Sequence, residues 1–119
     1  MTEPDSSSWS PKSACPATRW ALLVGVNDYV DAAISDLAVC ASDVQAVYDL
    51  VTTNGYAPDQ VRLLLSPGKS NPPTTRAEIL SALVSVAQTA DADDLLLFYF
   101  SGHGIDHNGQ AYLLPSDTR

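Results

Sequence analysis

The sequence predicts an α/β fold: a mostly parallel β-sheet with helices on both faces. Three observations predict it. Apolar runs of strand length alternate with stretches of helical periodicity, in the order β-α-β-α-β. The runs are apolar at successive positions, the pattern of strands covered on both faces rather than one. An Asn-Gly pair near the end marks a hairpin turn.

Residues 1–17 carry Pro4, Pro11 and Pro16 without apolar periodicity and read as a flexible leader. No basic stretch followed by an apolar one occurs there, so no signal peptide is expected. Residues 18–119 read as one domain. Its first strand starts at Arg19 and runs through Trp20-Ala21-Leu22-Leu23-Val24-Gly25-Val26, ending in the polar turn Asn27-Asp28-Tyr29. From Cys40 or Ser42 to Asn54, the positions Val44, Val47, Tyr48 and Val51 form a helical stripe. Gly55 follows where a helix C-terminus favours a left-handed residue. Gln60 to Leu65 reads as the second strand, and the loop from Ser66 to Thr74 holds Pro67, Gly68, Pro72 and Pro73. Thr75 with Glu78 makes a capping box that opens a second helix, its apolar face Ile79, Leu80, Leu83, Val84 and Ala87. After the polar break Asp91–Asp94, Leu95 to Phe100 is the third strand and the most apolar stretch of the chain. Asn108-Gly109 turns it back into a short strand, Ala111 to Leu114. Crossovers of this kind are right-handed.

Composition narrows the function. Net charge is −8, from 14 acidic against 6 basic residues, which argues against binding nucleic acid, an interaction driven mostly by Lys and Arg. No apolar run approaches the roughly 20 residues of a membrane helix, so no membrane partner is expected and a cytoplasmic location is. Two cysteines, Cys15 and Cys40, make no secreted-type disulfide framework.

In an open α/β sheet, sites form in loops beyond the carboxyl ends of the strands. The loop after Val26 has no G-x-G-x-x-G, so no dinucleotide is expected. Gly68-Lys69-Ser70 looks like the end of a P-loop, but Leu63 stands where the first glycine belongs and Asn71-Pro72-Pro73 blocks the helix. The loop after Phe100 is the candidate. His103 lies between Gly102 and Gly104 directly after a buried strand, a setting in which glycines permit close approach. An imidazole there can act as general base and then general acid, and the Gly104 N–H can face a developing oxyanion. A histidine in a glycine-rich turn with no role is the other reading. Zinc bound by His103 and His107 would need a helix, which Gly102, Gly104 and Gly109 oppose, and a third ligand, which is not evident. Ser101 as a nucleophile lacks the G-x-S-x-G elbow and a third triad member. No metal or cofactor is expected.

An ordered set of segments resembles the caspase-like cysteine peptidases, within them the metacaspase and bacterial orthocaspase branch. It comprises Ala21 to Tyr29, Leu37 with Cys40-Ala41-Ser42-Asp43-Val44, Thr74 to Ile79, Phe98 to Gly104, and Tyr112 to Asp117. Phe98-Tyr99-Phe100-Ser101-Gly102-His103-Gly104 is the most specific piece. The resemblance implies a three-layer caspase-like fold, truncated after the third core strand and a hairpin. It implies His103 as the catalytic histidine and the Gly104 amide as part of the oxyanion hole. Cys40, Asp43 and Ser101 fall where metacaspases line the pocket for the residue before the cleaved bond, and an acid at Asp43 implies Arg or Lys there, because a buried carboxylate pairs well with guanidinium. Without the resemblance, Asp43 reads as a helix first-turn acid and Cys40 as a small buried hydrophobe.

The nucleophilic cysteine of this family follows the histidine, in caspases by about 50 residues. Here both cysteines precede His103 and the sequence ends at Arg119. The expectation is therefore half of a peptidase domain, cleaving a peptide or protein substrate only when a complementary C-terminal segment supplies the cysteine. Alone, the chain is expected to be inactive, with strand Leu95–Phe100 left as an unpaired edge and an aggregation liability. A non-catalytic caspase-like interaction or regulatory module is the alternative.

Overall fold

A computed structural model of the chain describes residues 18–66 and 74–119. The expected leader with Cys15, and the segment Gly68-Lys69-Ser70, lie outside the described residues.

Strands β1 (Arg19–Val26), β2 (Val61–Ser66) and β3 (Leu95–Ser101) form a parallel sheet in the order β2-β1-β3. The connections carry helices α1 (Cys40–Thr52) and α2 (Arg76–Thr89), and a short 3-10 turn at Pro58–Gln60 leads into β2. One crossover leaves β1 toward β2, and the next passes back over β1 to β3. The two helices consequently cover opposite faces of the sheet.

The centre of the core is β1, whose Ala21, Leu22, Leu23, Val24 and Val26 are fully buried. Alternation along the strand divides them. Leu22, Val24 and Val26 meet Ala82, Ile79 and Leu83 of α2, whereas Ala21 and Leu23 meet Val44, Val47, Tyr48 and Val51 of α1. Both faces being covered explains the uninterrupted apolar run. Each of the Leu and Val side chains among them contributes about 1.5–3 kcal/mol by leaving water.

The expected stripe of α1 faces the sheet, and Gly55 adopts φ 98° just beyond the helix. In α2 the Thr75 hydroxyl accepts from the Glu78 N–H at 3.2 Å, so the cap lies where the spacing placed it. Its buried face is corrected, however. Ala82 and Val86, with Ile79 and Leu83 beside the core, face inward, while Leu80, Val84 and Ala87 are exposed.

β3 is hydrogen-bonded to β1 alone among the described strands, leaving its other edge open. Phe98 on it is 38% exposed. Beyond it, β4 (Gly104–His107) and β5 (Gln110–Leu113) make an antiparallel hairpin. Asn108 and Gly109 adopt φ 53° and 75°, a two-residue turn that resumes pairing at Gln110, one residue earlier than the sequence pattern placed it. Leu114 consequently leaves the hairpin and turns into the core. Gly109→Val is expected to weaken the hairpin by about 1–2 kcal/mol, because a β-branched residue opposes the left-handed conformation. Hydrogen exchange should quicken at the β4 and β5 amides and stay unchanged in β1.

Candidate active site

The three sheet strands are parallel, so their carboxyl ends, Val26, Ser66 and Ser101, share one edge of the sheet. Gly25 and Ser101 are direct neighbours across β1 and β3. The loop after β1, residues 27–39, therefore lies against the loop that carries His103.

His103 is held at three points. Its N–H donates to the Tyr29 hydroxyl at 2.8 Å, and its carbonyl accepts from the Leu114 N–H at 2.9 Å. Its side-chain Nε2 lies 2.8 Å from the Ser35 carbonyl oxygen. A carbonyl has no proton to give, so Nε2 must carry the hydrogen, and in the neutral ring the lone pair belongs to Nδ1. The half-buried imidazole thus presents a basic nitrogen on the side away from Ser35.

Tyr29 is fully buried, and its ring sits 5.2 Å from the imidazole at 54°. Burial pushes its hydroxyl above the ordinary value of 10.0; the His103 N–H pulls the other way, and the charge of the Cys40 thiolate form adds to the rise. The phenol stays protonated at neutral pH and donates to the Leu114 carbonyl at 3.0 Å. The 27–39 loop is itself secured: the Tyr29 N–H donates to Asp36 Oδ1, the Leu37 N–H to the Asn27 carbonyl, and the Val30 N–H to the Ser116 carbonyl.

The expected pocket residues gather beside this loop. Ser101 Oγ donates to Asp43 Oδ2 at 3.3 Å. Cys40 opens α1 with its N–H donated to Asn27 Oδ1 at 2.8 Å, a cap supplied by the preceding loop in place of Val39, whose side chain makes none. This close docking requires Gly25. A Cβ there would lie 2.8 Å from Val44 Cγ2 and 2.9 Å from the Cys40 carbonyl oxygen. One expectation is corrected. Asp43 is solvent-exposed rather than buried, because it stands on the outer side of the first helical turn, where the Ser101 hydroxyl is its hydrogen-bond partner. Cys40 is buried at 4% exposure and carries a free thiol. Gly104 begins β4, exposed and opposite Leu113.

Two rival chemistries can be judged on the same geometry. The Ser101 hydroxyl is directed to Asp43, and the ring nitrogen Nε2 to Ser35, so no serine–histidine dyad forms. Among the described residues, no group of three His, Cys, Asp or Glu is placed to hold a metal ion. No helix among them is long and apolar enough to cross a membrane.

Sequence reasoning placed His103, Gly104, Cys40, Asp43 and Ser101 at this edge of the sheet. It missed Tyr29, Ser35 and Asn27, which do the holding. An aromatic residue in a polar turn at Tyr29 was the available signal; the Ser35 and Asn27 contacts follow from the loop path and leave none.

A parallel sheet with helices on both faces and a tethered histidine just past its third strand agrees with a caspase-type α/β domain. The family model for the caspase domain, peptidase C14, matches residues 18–119, and the chain belongs to that family. It is similar to Metacaspase-1A of Aspergillus oryzae, 35% identical over 94 residues, which cover 77% of this chain and 22% of the relative. Metacaspase-4 of Arabidopsis thaliana is 31% identical over 88 residues, 73% of this chain and 21% of the relative. Metacaspase-1 of Cryptococcus neoformans is 37% identical over 95 residues, 77% and 20% respectively. The chain therefore spans about a fifth of the length of the curated relatives it matches.

Proposed function

We propose that this chain supplies the histidine and the substrate pocket of a caspase-type cysteine endopeptidase, whose thiol comes from a complementary C-terminal segment. The observation that carries this reading is the Ser35 carbonyl at His103 Nε2, which leaves Nδ1 as the base. In the reaction, Nδ1 takes the proton of the cysteine thiol, and the thiolate attacks the scissile carbonyl carbon. The Gly104 N–H stabilises the resulting oxyanion. Nδ1–H then protonates the departing amine as the C–N bond breaks, leaving a thioester. Water, deprotonated by the same nitrogen, hydrolyses that thioester and restores the thiol. Cys15 and Cys40 do not serve: both precede the histidine, and the Cys40 thiol is buried. The 119-residue chain alone is inactive on this reading, and it needs no metal or cofactor.

Asp43, with Ser101 bracing its carboxylate, recognises Arg or Lys before the cleaved bond, and Cys40 forms the floor of that pocket. An exposed carboxylate oriented by a neighbouring hydroxyl suits a guanidinium, which brings its own donors. Docking of the complementary segment is supported by the open edge of β3 and by an apolar groove of about 220 Å³ among Leu80, Phe98, Phe100, Leu113 and Pro115.

The test is peptide cleavage by this chain combined with a segment carrying an apolar strand and a cysteine. Arg and Lys peptides should be cut and Asp peptides spared. Asp43→Asn should lower kcat/KM for Arg peptides by roughly 10–100-fold, the loss of a charge-assisted hydrogen bond at an exposed site. No cleavage with any such segment would sink the enzyme reading and favour a non-catalytic caspase-like interaction module.

A further inference from the structure

We propose that Tyr29 is a positioning residue for His103, its single hydroxyl bracketing the histidine loop between the His103 amide and the Leu114 carbonyl. The inference rests on the reading of His103 as the catalytic base, and goes beyond it by naming what holds that base.

The hydrogen bonds form a closed cycle. The Tyr29 hydroxyl accepts from the His103 N–H at 2.8 Å and donates to the Leu114 carbonyl at 3.0 Å. The Leu114 N–H returns to the His103 carbonyl at 2.9 Å. Only a group that donates and accepts at once closes this ring, and a phenol does so while a phenyl cannot. The opposing strand of contacts runs through the same loop, because Ser35, six residues along, receives His103 Nε2. One loop therefore holds the histidine by its backbone and by its ring, so the imidazole turns only if the loop moves.

Gly102 completes the device. A Cβ there would stand 3.0 Å from the Tyr29 hydroxyl and 2.9 Å from the Phe100 ring, so this position stays without a side chain for the hydroxyl to reach the amide. Tyr29 also packs with Leu22, Val24 and Val26 as a core residue. Packing accounts for the ring but not for the hydroxyl, and Tyr29→Phe separates the two roles.

The experiment is nuclear magnetic resonance on the 119-residue chain, reading the His103 amide exchange rate and the imidazole nitrogen shifts across a pH series. In Tyr29→Phe the His103 amide should exchange about tenfold faster or more, the effect of losing one buried hydrogen bond. The nitrogen shifts should move from one tautomer toward a mixture. Amides of β1 should keep their protection, which shows that the core persists. Unchanged His103 exchange and an unchanged tautomer in a folded Tyr29→Phe chain would overturn the proposal. If that variant loses β1 protection, Gly102→Ala carries the test, since its methyl displaces the hydroxyl from the other side; an undisturbed His103 there overturns the proposal equally. In the cysteine-complemented enzyme, Tyr29→Phe should lower kcat about tenfold with KM within about twofold. None of the resonance readouts needs a nucleophile. Loosened His103 signals without any peptide cleavage would therefore uphold the bracket and refute only the peptidase reading.

Discussion

His103→Ala is expected to lower peptide cleavage by the complemented enzyme about 10³-fold or more, because in the proposed mechanism one imidazole serves three proton transfers. On that proposal it deprotonates the thiol, protonates the leaving amine and activates the hydrolytic water. The alanine chain should fold normally. The bonds from His103 to Tyr29 and Leu114 are backbone bonds at the 103 end, and they survive removal of the ring. Initial rates on Arg and Lys peptides, with alkylation kinetics of the complementing cysteine, measure both parts of the effect. Activity within tenfold of the parent would show that the histidine is assigned wrongly. Turnover by the 119-residue chain alone, surviving replacement of Cys15 and Cys40, would return the nucleophile's role to Ser101.

Gly25→Val should produce the largest loss of stability, about 1–3 kcal/mol or more, with a fall in melting temperature on the order of 10 °C. The new side chain enters space already held by the Val44 side chain and the Cys40 backbone, at 2.8 and 2.9 Å from the Cβ. Val44 is fully buried and the Cys40 carbonyl belongs to the first turn of α1, so neither yields cheaply. The head of α1 must rise from the sheet. That movement takes Asp43 away from Ser101, the neighbour of Gly25 across the strand pair. A thermal melt reads the first effect. The second appears as a loss of Arg and Lys cleavage greater than the loss of folded protein explains.

Much of the fold was legible because it depends on local periodicity. A strand buried on both faces must be apolar at every position, as Leu22 and Leu23 are. A helix lying on a sheet must repeat its apolar residues by turns, as Val44, Val47 and Val51 do. Caps and turns are local too, so Thr75, Gly55 and Asn108-Gly109 stand where their chemistry asks. The face of α2 was misjudged at Leu80 and Val84 because apolar residues cover more than half of its circumference. Periodicity then cannot say which apolar side is inward; the docking of the helix on the sheet turns Ala82 and Val86 inward.

The same division runs through the site. By itself the sequence determined the parallel α/β order, the central apolar strand, and a histidine flanked by glycines just beyond the third strand. Segment resemblance added the candidate pocket at Cys40, Asp43 and Ser101. Only the tertiary structure decided that Ser101 turns to Asp43 instead of His103, that Asp43 is exposed, and that Tyr29 holds the His103 backbone while Ser35 holds its ring. The physical reason is sequence separation. Tyr29 and His103 are 74 residues apart, and their hydrogen bond exists because parallel pairing of β1 with β3 brings two strand ends to one edge. Local pattern places each residue on its element, whereas the direction of a hydroxyl or a ring nitrogen is set by the partner that the fold delivers.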